Sequence, residues 1–147
     1  MIRSITKTLA LVLFAAATFT ACKKDDDNND SLAITKENLA ATYTVSSIKI
    51  KATGYGEQDV TNSWSDACER DDQTILKSDL TFSYVDAGTK CSPAGDYTGT
   101  WSLNGSKITV DGDESTVKSL TKGQLVTEDS YTQSGVTWTV TTTLNRK

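Results

Sequence analysis

The sequence predicts an all-β domain with about eight antiparallel strands and one short helix before them. After residue 40, apolar and polar residues alternate along most segments, and a period of two is typical of half-buried strands. Turns that contain glycine separate these segments at short intervals, as in sheets whose strands are linked in sequence. A helical pattern is confined to residues 36–39. The fold class that follows is an antiparallel β-barrel or β-sandwich.

The predicted helix is Lys36–Leu39, because the side chain of Thr35 can cap its first turn. Leu32, Ile34 and Leu39 supply its apolar edge. This helix lies directly before the first predicted strand.

The first strand changes phase along its length. Tyr43 and Val45 alternate with polar residues, whereas Ile48 and Ile50 take the opposite phase, which predicts a bulge near residues 46–47. The full set of predicted strands is 42–51, 60–65, 73–77, 80–86, 98–103, 107–111, 116–120 together with 124–131, and 136–145.

The clearest local prediction is a hairpin at Asn104-Gly105, since both central positions of a type I′ turn favour positive φ. Further turns are predicted at residues 86–88, 111–113, 122–123 and 134–135. Strands linked in this order can close into a small barrel, which removes exposed edges, or remain a sandwich. The residues leave both arrangements open.

The composition excludes several classes of function. The chain has 147 residues, the length of one domain, and contains no His, so His-based triads, His-ligated metals and imidazole acid–base relays are excluded. The net charge of −4 argues against a nucleic-acid partner. We therefore expect a protein that is not an enzyme and that has no cofactor.

Residues 1–21 have the layout of a secretory signal peptide. Arg3 and Lys7 give a basic start, and an apolar run follows at residues 9–17. As a helix, this run would cover about 14 Å, roughly half of a hydrocarbon core. We expect the segment to be removed rather than to remain in a membrane.

The segment Phe19-Thr20-Ala21-Cys22 resembles the lipobox of bacterial lipoproteins, with Phe19 where Leu is usual. The resemblance implies that Cys22 becomes the acylated first residue of the mature chain. One acyl chain holds weakly and two or more anchor stably, so the protein is expected to contact the membrane through this lipid anchor. The alternative is a secreted protein with an unmodified thiol at Cys22.

Residues 22–30 form a predicted linker of charged and polar residues after the lipidated Cys. The Asp-rich run also resembles the acidic signal that sends many Bacteroidetes lipoproteins to the outer face of the outer membrane. We therefore expect a lipid-anchored protein of the outer membrane, displayed at the cell surface. A periplasm-facing anchor is the alternative.

The chain has three cysteines, so acylation of Cys22 would leave two, Cys68 and Cys91. An even number of cysteines in an oxidising compartment predicts a disulfide between them. Closing a loop of about 24 residues stabilises the fold by roughly 3 kcal/mol in the chain-entropy model. Their spacing is unlike that of a Cys-x-x-Cys redox pair. A structural disulfide is therefore expected.

Two groups of acidic residues raise the question of a calcium site or of paired hydrolase carboxylates. Neither group has the loop spacing of an EF-hand, and any acidic protein offers carboxylate pairs by chance. We interpret both as solvated turns and expect no metal site. The groups are Glu69, Asp71 and Asp72, and Asp111, Asp113 and Glu114.

Several short motifs resemble the lipocalin-like lipoproteins of Bacteroidetes, over roughly residues 32–147. The resemblance implies a lipocalin-like β-barrel, residues 31–147 being the domain. Lipocalins open with Gly-x-Trp on the first strand, whereas Ala41-Thr-Tyr43 stands there in this chain. The motifs are Leu39-Ala-Ala-Thr-Tyr43, Cys68-Glu-Arg-Asp-Asp72 followed by an apolar strand and Phe82, Cys91, and Gly99-Thr-Trp-Ser-Leu103.

Aromatic residues are the candidates for a ligand site, since small barrels can hold one ligand within aromatic walls. Packing of the core is the simpler explanation of the same residues. We expect a monomer that binds a small apolar or amphipathic ligand; the alternative is a structural or interaction module that contacts protein or glycan through its loops. The cavity candidates are Tyr43, Phe82, Tyr84, Trp101 and Trp138, and the rim candidates are Tyr55 and Trp64.

Overall fold

A computed structural model of the chain describes residues 30–93 and 95–147. The predicted signal peptide, the lipid attachment at Cys22 and the linker up to residue 29 lie outside the described residues. None of the helices in the described ranges is long and apolar enough to cross a membrane.

Nine strands and two short helices form the described fold. The helices are Lys36–Leu39 (α1) and Thr61–Trp64 (α2). The strands are Thr42–Ala52 (β1), Gln58–Asp59 (β2), Gln73–Leu76 (β3), Thr81–Val85 (β4), Tyr97–Asn104 (β5), Lys107–Val110 (β6), Asp113–Leu120 (β7), Gln124–Gln133 (β8) and Val136–Arg146 (β9).

The sheet closes on itself because the first long strand pairs with the last. β1 and β9 are antiparallel from Tyr43↔Arg146 to Ala52↔Trp138, and β1 also pairs with β3 at Thr42↔Ile75. Every strand except the two-residue β2 belongs to this antiparallel ring. Each strand of this ring pairs with a neighbour on both sides, so the fold is a barrel and not a sandwich.

A bulge in β1 keeps its apolar side chains on the inner face. The register against β9 shifts between Val45 and Ser47, as the phase change predicts. Val45 and Ile50 therefore lie opposite Leu144 and Val140, which are on the same face of β9.

Two of the predicted turns have the backbone of a type I′ hairpin. Asp111 and Gly112 join β6 to β7 with φ of 52° and 93°, and Ser134 and Gly135 join β8 to β9 with φ of 51° and 77°. Positive φ at both central positions matches the right-handed twist of the flanking strands.

The predicted type I′ turn at Asn104-Gly105 is wrong by one residue. Asn104 pairs with Lys107, so the central positions are Gly105 and Ser106. Gly105 has a positive φ of 60°, whereas the φ of Ser106 is not positive. A glycine at the first central position fits a type II′ turn.

The predicted strand 60–65 is also wrong, because most of it is the helical turn α2. Asp59 Oδ1 accepts a hydrogen bond of 2.9 Å from the Thr61 N–H, and Thr61 Oγ1 accepts one of 2.8 Å from the Ile48 N–H. These side-chain contacts to the backbone favour a turn over a strand.

The predicted unit of 116–120 with 124–131 is two strands, β7 and β8.

Helix α1 closes one end of the barrel. Thr35 Oγ1 accepts a hydrogen bond from the Asn38 N–H, as predicted, and Leu39 is completely buried. The Tyr43 hydroxyl donates a hydrogen bond of 2.9 Å to the Leu39 carbonyl. The buried core at this end consists of Leu39, Tyr43, Leu76, Phe82, Trp101, Ile108, Val117, Leu120 and Leu125.

Candidate functional site

A cavity of about 290 Å³ lies inside the barrel. Four side chains of the core just described form part of its wall: Tyr43, Leu76, Ile108 and Leu125. Its walls combine apolar side chains from several strands with hydroxyl groups and two carboxylates. Ligand pockets of this kind have an apolar lining with a few polar groups that fix orientation. The lining residues are Tyr43, Thr74, Leu76, Tyr97, Ile108, Val110, Asp111, Asp113, Ser115, Leu125, Thr127 and Leu144.

The strand register explains which side chains face this cavity. Asp113 lies opposite Val110, and Ser115 lies opposite Ile108, across the β6–β7 pair. Paired residues point to the same face of a sheet, and alternate residues share that face. Glu114, between them, points outward, where its carboxylate lies 3.1 Å from the Lys107 ammonium.

Tyr97 and the β6–β7 turn form the mouth of the cavity. Tyr97 is half exposed, and its ring stacks on that of Tyr84 with centroids 5.2 Å apart. It also packs edge-to-face on Phe82, at 5.7 Å. These contacts hold the Tyr97 ring in place while leaving part of it free for a ligand.

Glycine at position 99 lets the turn come close to the barrel wall. A Cβ at Gly99 would lie 2.5 Å from the Phe82 ring and 3.0 Å from Asp111 Oδ1. The Asp111 N–H donates a hydrogen bond of 3.0 Å to the Thr100 carbonyl. The Asp111 carboxylate is therefore held against β5, at the mouth of the cavity.

Only one of the predicted cavity residues lines this space. Tyr43 forms part of its wall. Phe82 and Trp101 belong to the packed core, as Tyr43 also does, but they do not line the cavity. The indole N–H of Trp101 donates a hydrogen bond of 2.8 Å to the Lys77 carbonyl. Tyr84 lies behind Tyr97 and supports it through their stacked rings.

Trp138 lies elsewhere, at a second cavity of about 280 Å³ between the far ends of β1 and β9. Tyr55, a predicted rim residue, lines this second cavity and is 71% exposed. Trp64 is half exposed on α2 and contributes to neither of the two cavities among the residues described. Ile50, Ala52, Gly56, Gln58 and Val136 complete the second lining.

The disulfide between Cys68 and Cys91 is confirmed. The Cα atoms are 5.3 Å apart, within the usual range for this bond. It joins the segment before β3 to the segment after β4. The disulfide therefore links the two ends of the β3–β4 hairpin.

Asp72, which follows Cys68, is not part of a solvated turn as the sequence suggested. It is 5% exposed. Its Oδ1 accepts a hydrogen bond of 2.9 Å from the Ala87 N–H, and its Oδ2 accepts one of 2.7 Å from the Tyr84 hydroxyl. The carboxylate thus links the Cys68 segment to β4 and to the loop behind it.

In the described part of the chain, Asp72, Asp86 and Cys91 come nearest to a set of metal ligands, with their ligand atoms within 4.8 Å of one another. The Cys91 sulfur is consumed in the disulfide and is not available as a thiolate. The Asp86 carboxylate accepts a hydrogen bond of 3.3 Å from the Cys91 N–H through Oδ1. The two remaining carboxylates fall well short of the six to eight oxygens that calcium takes.

Sequence reasoning missed Tyr97, Asp111 and Asp113 as site residues. Tyr97 lies one residue before the predicted strand 98–103, whereas β5 begins at Tyr97. Extending the alternation of Gly99 and Trp101 back by one residue would have placed Tyr97 on the same face. The acidic pair gave no such signal, because a turn rich in Asp and Gly is usually solvated.

Comparison with known proteins identifies the family of this barrel. A family model described as a lipocalin-like domain matches residues 39–127, more than half of the chain. Searches of curated proteins and of solved structures gave no significant match. The matched range runs from the end of α1 to the middle of β8. The chain therefore belongs to the family of proteins with a lipocalin-like domain.

Proposed function

We propose that this chain is a cell-envelope lipoprotein whose lipocalin-like barrel binds a small amphipathic molecule without converting it. The observation that carries the proposal is the cavity of about 290 Å³ inside the barrel. Its volume lies close to the lower bound of roughly 300 Å³ for pockets that hold small ligands. The ligand is therefore expected to be compact.

The distribution of apolar and polar groups supports an amphipathic ligand. Leu76, Ile108 and Leu125 provide apolar walls and are also part of the packed core. Asp111 and Asp113 are exposed residues of the same lining. A ligand with an apolar body and a polar end would match both regions.

The envelope part of the proposal rests on the sequence before residue 30. The basic start, the short apolar run and Cys22 after small residues support lipid anchorage, and the Asp-rich linker supports display at the outer membrane surface. Metabolic labelling with palmitate tests the anchor: the native chain should be labelled and a Cys22→Ala variant should not. Equal labelling or equal membrane retention of the two would refute the anchor.

An interaction module is the second candidate, and exposed aromatic residues favour it. Tyr55 and Trp64 lie on the β1–β2 side of the barrel and are at least half exposed. Aromatic side chains of this kind are common in protein interfaces. In this alternative, substitution of Tyr55 and Trp64 abolishes binding of the partner, whereas a substitution that fills the cavity leaves binding of the partner unchanged.

Filling the cavity tests the binding function. N-phenyl-1-naphthylamine is an uncharged apolar probe whose fluorescence rises in a dry site. We expect saturable binding by the native protein and loss of binding in Ser115→Trp, whose indole would occupy the cavity. Thr116→Trp on the outer face of the same strand is the matched control. Absence of binding, or equal binding by both variants, would overturn the proposed function.

A further inference from the structure

We infer that the ligand of the barrel cavity carries a positively charged, ammonium-type group, which Asp111, Asp113 and Tyr97 hold at the mouth. This inference rests on the proposed binding function and narrows it to a chemical class. It follows from the charge, the geometry and the aromatic face at one end of the cavity.

The charge at the mouth is negative, and no ammonium or guanidinium group in the described part of the chain forms an ion pair with it. Among the described residues that line the cavity, Asp111 and Asp113 are acidic and none is basic. Within the same described ranges, no ion pair of the barrel includes either carboxylate. The nearby Lys107 is bound to Glu114 on the outer face. A cationic group would supply the missing partner.

Both carboxylates are positioned by the backbone. The β6–β7 register puts Asp113 on the inner face, beside Val110. Asp111 occupies a left-handed position of the type I′ turn, with φ of 52°, and its Oδ1 lies beside Gly99. The two negative groups are therefore presented at the mouth by a tight hairpin rather than by a long loop.

An aromatic ring completes the arrangement. Tyr97 lines the cavity and is 49% exposed, and its stacking on Tyr84 fixes the direction of its ring. Cations are attracted to the face of such a ring, and quaternary ammonium groups are often recognised by aromatic side chains. Carboxylates beside an aromatic face disfavour an anionic head group for the same electrostatic reason.

Three compounds with the same chain length separate the head group from the tail. Octylamine is cationic at pH 7, 1-octanol is neutral and octanoate is anionic. In displacement of N-phenyl-1-naphthylamine, we expect octylamine to compete about tenfold more strongly than 1-octanol, and octanoate to be the weakest. The advantage of octylamine should shrink as salt is added.

Substitution of the inner carboxylate tests the source of this preference. Asp113→Asn should bring the affinity for octylamine close to that for 1-octanol while keeping binding of the neutral probe, which also reports that the barrel is folded. Glu114→Gln, the adjacent carboxylate on the outer face, is the matched control and should retain the preference. Asp111→Asn together with Asp113→Asn should remove it entirely.

The outcomes distinguish this inference from the function on which it rests. If the neutral probe binds and the three compounds compete equally, or octanoate competes best, the inference is wrong and the binding function stands. If the preference survives in the double variant, the assigned carboxylates are wrong. If the neutral probe does not bind the native protein at all, the proposed function itself fails.

Discussion

The hydroxyl of Tyr84 donates a hydrogen bond of 2.7 Å to the buried carboxylate of Asp72. It connects β4 to the acidic segment that follows Cys68, twelve positions earlier in the chain. The same tyrosine stacks on Tyr97 at the mouth of the cavity. One side chain therefore couples the disulfide region to the candidate ligand site.

Removal of this hydroxyl should destabilise the barrel. Tyr84→Phe keeps the aromatic stack but leaves Asp72 Oδ2 without its donor, and an unsatisfied buried polar group costs about 1–3 kcal/mol. Urea denaturation measures the change in the free energy of unfolding. Tyr131→Phe, on an exposed ring, is the control and should unfold like the native protein. Equal stabilities for all three proteins would show that the hydrogen bond contributes nothing.

Tyr84 should also give the stability a dependence on alkaline pH. Burial, the hydrogen bond to Asp72 and the charges of Asp72 and Glu69 raise the pKa of Tyr84. In the unfolded chain a tyrosine ionises at about pH 10, while the folded chain keeps Tyr84 protonated to higher pH. Its contribution is therefore complete below the unfolded pKa and is lost as the pH rises through the folded pKa.

Denaturation series at neutral and alkaline pH check this dependence. The stability advantage of the native protein over Tyr84→Phe should be constant below pH 10 and should decline above it. An advantage that grows with alkaline pH would contradict the direction of the shift.

The disulfide should contribute a large part of the stability. Replacing both Cys68 and Cys91 by Ser should lower the free energy of unfolding by about 2–5 kcal/mol, as is typical for native disulfides. With Cys68→Ser alone, the thiol of Cys91 should become reactive towards maleimide. Reaction of both thiols in the untreated native protein would mean that the pair is not joined.

Much of this fold could be predicted from local patterns, since alternation, the Thr35 cap and the β1 bulge all act over a few residues. Ring closure could not, because the pairing of β1 with β9 joins residues about a hundred positions apart and no local signal selects it over a sandwich. The prediction of a strand at residues 60–65 failed for a different reason. Asp59 and Thr61 form side-chain hydrogen bonds to the backbone that favour a helical turn, and the alternation of apolar and polar residues gives no sign of these bonds.

The candidate site was harder to predict than the fold. An aromatic residue that lines a cavity and one that fills a core have the same sequence pattern, so Trp101 and Tyr43 could not be separated in advance. Asp72 was misread because its burial depends on Tyr84 and Ala87, which lie in another strand and its loop. The β6–β7 turn sets the register of Asp113 locally, but which face of this hairpin lies inside the barrel is decided by the distant pairing of β1 with β9.

Gly99 should tolerate no side chain. Gly99→Ala would force the new methyl group against the Phe82 ring and Asp111, and overpacking of this kind costs about 1–3 kcal/mol. It should also shift Asp111 and weaken octylamine binding. Gly123→Ala, with nothing within 4 Å of its Cβ position, should leave melting temperature and binding unchanged. A Gly99→Ala protein as stable as the native one would contradict the close packing assigned to this position.

Native mass spectrometry of the full-length protein from its own membranes, beside Ser115→Trp prepared in the same way, tests the central claim most directly. The account predicts a small cationic molecule retained in one-to-one ratio by the native protein and absent from Ser115→Trp, with acyl mass on Cys22 in both. Absence of a retained ligand from both proteins, or the same retained ligand in both, would contradict binding inside the barrel.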